Sequence, residues 1–259
     1  MLELNHLYNM DCLEGMKLID DKSIDMILCD LPYGRTQNKW DSIIPFDELW
    51  KRYNNIIKDN GAIVLFADGL FMADLMNSNR KMWKYNLIWD KVLTSGFLNA
   101  NRQPLRQHEE ICVFYKKQPT YNPQKTKGKP NHSKGKPKET ANNNYGKFEF
   151  VDNKEELGDM KHPTSILKFQ KPHPSKMLHP TEKSVECCEW LIKTFTNKGD
   201  LVLDNCAGSF TTAVACDNTN RNWICIEKEE KYCNIGLTRI NDNRERLSLP
   251  LLNSITKQL

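Results

Sequence analysis

The sequence predicts an α/β fold, a mostly parallel sheet with an antiparallel edge strand and helices on both faces. Three observations carry this expectation. Short apolar runs alternate with stretches of helical spacing along most of the 259 residues, the pattern left by parallel strands and crossover helices. Towards the C-terminus, residues 200–204 lead through a small-residue turn into a helical stretch, and the next apolar run ends on Glu227. Two further runs, 85–89 and 110–115, close the first half and suggest a hairpin-like antiparallel pair at one edge.

In chain order, Leu7–Asn9 reads as a strand and Leu13–Ile19 as a helix. Asp11 therefore falls at a strand-to-helix junction, where it reads as a helix N-cap. Ile24–Cys29 reads as a strand, and Asp30 closes its apolar run Met26–Cys29. Pro32 cannot donate to a sheet ladder, and Gly34 frees the chain to turn. A carboxylate, a carbonyl-rich turn and the Tyr33 ring thus gather at a strand mouth, where open α/β sheets bind ligands. Two acceptors suit an amino group with two hydrogens, and a flat ring suits a stacked base. A plain Asp-Pro turn is the simpler alternative. Residues 35–45, with Trp40, read as a loop over this mouth. Phe46–Lys58 has one apolar helical face, Asn60-Gly61 ends it, and Ala62–Phe66 is a buried strand. A helix over 70–76 follows. Asn99, Asn101, Arg102 and Arg106 lie between the two hairpin strands.

Hydrophobic residues make up 39% and the formal charge is +4, values that by themselves select no partner. The nine cysteines include the adjacent Cys187-Cys188 and form no CxxC pair, which points to reduced thiols and no metal site. There is no signal-like N-terminus and no membrane-length apolar stretch, so a soluble, cytoplasmic protein without a membrane partner is expected. From 116 to 139 the chain holds eight lysines, four prolines and one acid, Glu139. Such a tract cannot pack a core and suits either phosphate contacts or a solvated linker. Residues 140–178 are polar with scattered aromatics. Regular structure restarts at His179, with a helix over 184–195 that Gly199 stops. In the turn 205–210, Gly208 lets the backbone approach a ligand. Glu227 lies 19 residues further on, near the interval of an acid that holds ribose hydroxyls.

Asp30-Leu31-Pro32-Tyr33 resembles the Asp-Pro-Pro-Tyr motif of the amino-group DNA methyltransferases, which use S-adenosylmethionine. Leu31 replaces the first proline but keeps the carbonyl that the family uses. His179-Pro180-Thr181-Glu182-Lys183 is similar to the family's His-Pro-Thr-x-Lys segment, and Asp204–Glu227 to its cofactor strand, turn and acid. That turn usually reads Asp-x-Phe-x-Gly-x-Gly. Cys206 and Phe210 stand at the Phe and second Gly positions, which predicts either a turn held in negative-φ space or a weakened cofactor site.

Catalytic motif first and cofactor motif last is the permuted order of the beta class. The resemblance implies a Rossmann-like methyltransferase fold with an irregular recognition insertion. Residues 1–115 would be the catalytic half, 116–178 a basic, flexible target-recognition segment, and 179–259 the S-adenosylmethionine-binding half. Asp30, Leu31, Pro32 and Tyr33 would carry catalysis. Asp11, Cys12, Asp30, His179, Thr181, Lys183, Asp204, Cys206, Ala207, Gly208, Ser209, Phe210, Thr211 and Glu227 would hold the cofactor. The implied reaction methylates N6 of a flipped-out adenine in double-stranded DNA, since Asp at the first motif position leans to adenine. N4-cytosine methylation, RNA adenine methylation and a catalytically inactive DNA-binding relative stay open. The class also brings a homodimer and a cognate restriction endonuclease as candidate partners.

Overall fold

The computed structural model describes residues 2–35, 41–129, 159–173, 175 and 182–257. In chain order the elements are β1 (His6–Asn9), α1 (Cys12–Gly15), β2 (Ile24–Asp30), α2 (Phe46–Ile56), β3 (Ile57–Ala67), α3 (Gly69–Ser78) and β4 (Trp83–Ser95). They continue with β5 (Arg106–Phe114), β6 (Thr126–Lys127), β7 (Met160–Lys161), β8 (Ile166–Lys168), α4 (Val185–Phe195), β9 (Leu201–Asp204), α5 (Thr211–Thr219), β10 (Asn222–Glu227), α6 (Glu230–Leu247) and β11 (Thr256–Lys257). Residues 123–164 form a small separate unit, in which β6 and β7 pair antiparallel.

Nine strands make one sheet in the order β11-β1-β10-β9-β2-β3-β5-β4-β8. β5 runs antiparallel to both β3 and β4, and the other pairs are parallel. The antiparallel pair is therefore present, but β8 lies outside it as a parallel edge strand. The central strands read as continuous apolar runs because both of their faces are covered. Met26 and Leu28 of β2 enter a core with α4, α5 and α6 residues. Ile27 and Cys29, pointing the other way, join α2 and α3 side chains such as Tyr53 and Phe71. Helices of the two halves of the chain thus cover opposite faces.

β2 and β9 are neighbours, with Met26 opposite Val202 and Ile27 opposite Leu203. This pairing brings the ends of strands from distant parts of the chain to one edge of the sheet. The helix of residues 46–56 stops earlier than its apolar stripe suggests. Asn60-Gly61 lies within β3, not at a helix end. The register between β2 and β3 shifts there, and a Cβ on Gly61 would lie 2.9 Å from the Asp25 carbonyl oxygen. Close backbone approach, not a turn, is this glycine's task.

Phe210 has φ 60° and ψ 35°, so the turn does not stay in negative-φ space. The left-handed conformation costs a non-glycine residue about 1–2 kcal/mol. Complete burial of the Phe210 ring offsets it, since burying a large apolar side chain stabilises by about 1.5–3 kcal/mol. Gly236 of α6 makes the room: a Cβ there would lie 2.0 Å from Phe210 Cδ2. Gly236→Ala should therefore lower stability by about 1–3 kcal/mol through overpacking, and by much less in a Phe210→Ala background. Urea unfolding of the four proteins checks this, and equal losses in both backgrounds would refute the contact.

Candidate active site

One cavity of about 620 Å³ opens at the carboxyl ends of β2, β9 and β10. It is lined by Asp11, Cys12, Asp30, Leu31, Pro32, Tyr33, Lys183, Asp204, Cys206, Ala207, Gly208, Ser209, Thr211 and Glu227. Residues from the first 33 positions and from the last third of the chain thus share a single space. Phe210 turns its ring into the core instead. His179 and Thr181 lie outside the described residues, as does Trp40 of the loop over the strand mouth. Arg35, Asp41, Ser42 and Ile44 of that loop do line the cavity.

At the β2 end, both carboxylate oxygens of Asp30 are engaged. The Tyr33 hydroxyl donates to Oδ1 at 2.7 Å and Lys183 Nζ donates to Oδ2 at 2.5 Å. Burial pushes the Asp30 carboxyl above its ordinary range, against the pull of Lys183. Tyr33 stacks on Phe71 with centroids 4.7 Å apart, which fixes its ring at the cavity wall. The Leu31 side chain is buried in the α2–α3 core. This packing anchors the turn where a proline ring would have stiffened it.

At the β9 and β10 ends the acids are held differently. Asp204 accepts from Thr212 Oγ1 at 2.6 Å and from the Cys206 N–H at 3.1 Å. Burial still raises it to about 6. Glu227 accepts from the N–H groups of Gly208 and Glu229, each at 2.8 Å, and burial raises it to about 7. Both of those donors are neutral, so the Glu227 carboxylate is a desolvated acceptor with lone-pair sites to spare, suited to ligand hydroxyls. Asp11 caps α1, accepting from Leu13 N–H at 2.9 Å. It therefore serves as N-cap and cavity wall at once.

Several residues at the site escape a reading from sequence. Arg239 of α6 donates to the Ser209 carbonyl at 2.8 Å and to the Thr211 hydroxyl at 3.0 Å. It also pairs with Glu182 at 2.7 Å, which ties the turn to the segment bearing Lys183. Tyr53 donates to the Asn205 side chain at 2.7 Å across the interior. Glu109 and Lys91, on the antiparallel strands, reach the cavity beside Lys183. An acid placed directly before an apolar strand run, and a lysine after one, are the faint signals they leave. At the rim, Arg35 and Arg106 both pair with Asp68. All nine cysteines are free thiols. Among the described residues no group of His, Cys, Asp or Glu is placed to hold a metal, and no helix is long and apolar enough to cross a membrane.

The chain matches a family model described as DNA methylase, of the N6/N4 type, over residues 24–238. It is 28% identical over 252 residues to the type II methyltransferase M1.MboII of Moraxella bovis, covering 90% of this chain and 95% of that protein. It is 24% identical over 262 residues to the DNA adenine methyltransferase YhdJ of Escherichia coli K12, covering 92% and 83% respectively. Among solved structures, the M1.HpyAVI–SAM complex superposes with a TM-score of 0.63 at 24% identity, covering 91% of this chain and 98% of that one. The cytosine-N4-specific PvuII DNA methyltransferase has the same fold, with a TM-score of 0.66 at 16% identity over 96% and 95%. With a matched core that runs from the first residue of β2 deep into α6, and with both strand-end motifs in one cavity, this chain belongs to the N6/N4 DNA methylase family.

Proposed function

We propose that the protein transfers a methyl group from S-adenosylmethionine to the exocyclic N6 of an adenine flipped out of duplex DNA. The observation that carries this reading is the shared cavity: an amine-accepting carboxylate beside an aromatic ring at one end, and desolvated acids around a glycine turn at the other. The donor set fits the cofactor. Glu227 would accept the ribose hydroxyls, and Asp11 would face the adenine moiety. The Cys206–Thr211 turn would lie along the ligand. When bound, S-adenosylmethionine supplies an electrophilic methyl, and transfer makes one N–C bond, breaks one S–C bond and releases one proton from the amino nitrogen.

The chain's own residues do the rest. An exocyclic amino nitrogen has its lone pair delocalised into the ring and is a weak nucleophile. Asp30 and the Leu31 carbonyl accept its two N–H bonds and turn the lone pair towards the methyl. Tyr33, backed by Phe71, offers the face on which an extruded base stacks. Acceleration comes chiefly from holding nitrogen and methyl in line. Asp30, raised by burial, is placed to take the released proton.

Adenine is supported by the name of the Escherichia coli relative and by the leading Asp30. Cytosine presents the same amino group to the same acceptors. Residues 116–178 serve as the target-recognition segment in this reading, with their lysines on phosphates, between a catalytic half of 1–115 and a cofactor half of 179–259. Residues 130–158, 174 and 176–178 of it lie outside the described ones. A cytoplasmic enzyme, acting beside a cognate restriction endonuclease as type II methyltransferases do and pairing as a homodimer, completes the proposal.

Purified protein and S-adenosylmethionine, incubated with unmethylated duplex DNA and in parallel with RNA, test it directly, with nucleosides analysed by mass spectrometry. N6-methyladenine should form, and Asp30→Ala should reduce it by about 10²–10³-fold, the usual loss when a transition-state contact is removed. N4-methylcytosine would correct the base, methylated RNA alone the polymer, and no product with wild-type protein would overturn the reaction.

A further inference from the structure

Four charged side chains of alternating sign run along the cavity wall. Lys91 Nζ is 3.0 Å from Glu109 Oε1, and Lys183 Nζ is 3.3 Å from Glu109 Oε2 and 2.5 Å from Asp30 Oδ2. Three strands and one loop build the chain of charges, with Asp30 at the end of β2, Lys91 on β4 and Glu109 on β5. Glu109 pairs across β4–β5 with Trp89, Lys91 follows two residues after Trp89, and Lys183 lies just before Ser184, the N-cap residue of α4. The two lysines are almost wholly withdrawn from water, at 5% and 10% side-chain exposure. Ammonium groups at that depth are tolerated when paired. Here each positive charge meets a carboxylate, and the four formal charges cancel. Lys183 Nζ also lies 5.3 Å from the centre of the Phe66 ring, a contact that further restrains a cation. The Glu109–Lys183 contact, at 3.3 Å, is longer than the 2.5 Å bond from Lys183 to Asp30. Lys183 therefore gives its short, directional bond to Asp30.

We propose that Lys183, anchored on Glu109, is a positioning residue for the methylated amino group: it fixes the Asp30 carboxylate as an acceptor. The inference rests on the methyltransferase reading above and extends it. A protonated Asp30 would present a hydroxyl to the base and lose an acceptor for its N–H. A carboxylate has roughly four lone-pair sites, so bonds from Tyr33 and Lys183 leave sites for the amino group without displacing either. The other groups whose charge acts on Asp30 are Glu109 of β5, Asp204 of β9, Cys29 of its own strand and Cys188 of α4. Among these Glu109 opposes Lys183: its negative charge raises the Asp30 carboxyl, whereas the ammonium lowers it. Removing one or the other should move Asp30 in opposite directions. A merely structural ion pair would move the titration without carrying that shift into the pH dependence of methylation.

The test follows the Asp30 carboxyl by carbon-13 NMR titration in ligand-free protein, assigned by difference with Asp30→Asn. The acid limb of kcat/KM for DNA is then measured in the same proteins. Lys183→Gln should raise the Asp30 titration by at least about one pH unit, a tenfold change in proton affinity, and the acid limb should follow. Lys183→Arg keeps a permanent charge and should leave both near the wild-type position. Glu109→Gln should move both downward. An unmoved titration in Lys183→Gln would overturn the proposal, as would a loss confined to the KM for S-adenosylmethionine. Should Lys183→Gln fail to fold, Lys183→Met takes its place, and an unmoved titration there would overturn the proposal as well. The titration needs no turnover. Absence of methylation by wild-type protein would count against the reaction, and a static titration against the role of Lys183.

Discussion

Drawing carboxylates out of water at the ends of parallel strands is the constraint on which this site depends. Each acid must find donors or give up its charge, and the chain solves the problem three ways. Asp30 receives a cation and a phenol. Asp204 receives a threonine hydroxyl and a backbone N–H. Glu227 receives two backbone N–H groups. The solutions leave different chemistry behind. Paired with an ammonium, Asp30 can stay an anion that still has room for an amino group. Glu227, with neutral donors and a carboxyl raised to about 7, is poised to gain from ligand hydroxyls.

The topology turns these local solutions into one site. With β2 beside β9, the Asp30 end and the Glu227 end of the cavity need no domain closure to meet. Helices α2 and α3 support one face and α4 to α6 the other. Each motif thus has its own packing support. The Phe210–Gly236 exchange shows how far that support can substitute for backbone freedom. A residue that dislikes positive φ adopts it because its ring fills a space that a helix glycine leaves open.

What the sequence made legible follows the same physics. The runs 24–30 and 222–227 form strands with the acids at their ends, because a continuous apolar run has few other fates. The strand–turn–helix around Gly208 and the Asp30–Tyr33 turn were readable for similar reasons, and their lining residues do meet in one cavity. The partners that tune them were not. Glu109, Lys91 and Arg239 act across long sequence separations, and a charge in isolation looks like a solvated surface residue. The edge strands β8 and β11 are too short to carry a legible apolar run, and pairing with a neighbour creates them. Asn60-Gly61 misled because the same dipeptide serves a turn or a close strand approach, and only the register with Asp25 distinguishes them.

The most direct measurement is calorimetric binding of S-adenosylmethionine by the ligand-free protein and by Glu227→Ala, over about pH 5 to 8. Ligand hydroxyls favour the charged carboxylate, so wild-type affinity should fall as pH drops through about 7, and Glu227→Ala should bind weakly at every pH. Equal, pH-independent binding by both proteins would show that the desolvated acid at the end of β10 does not hold the cofactor.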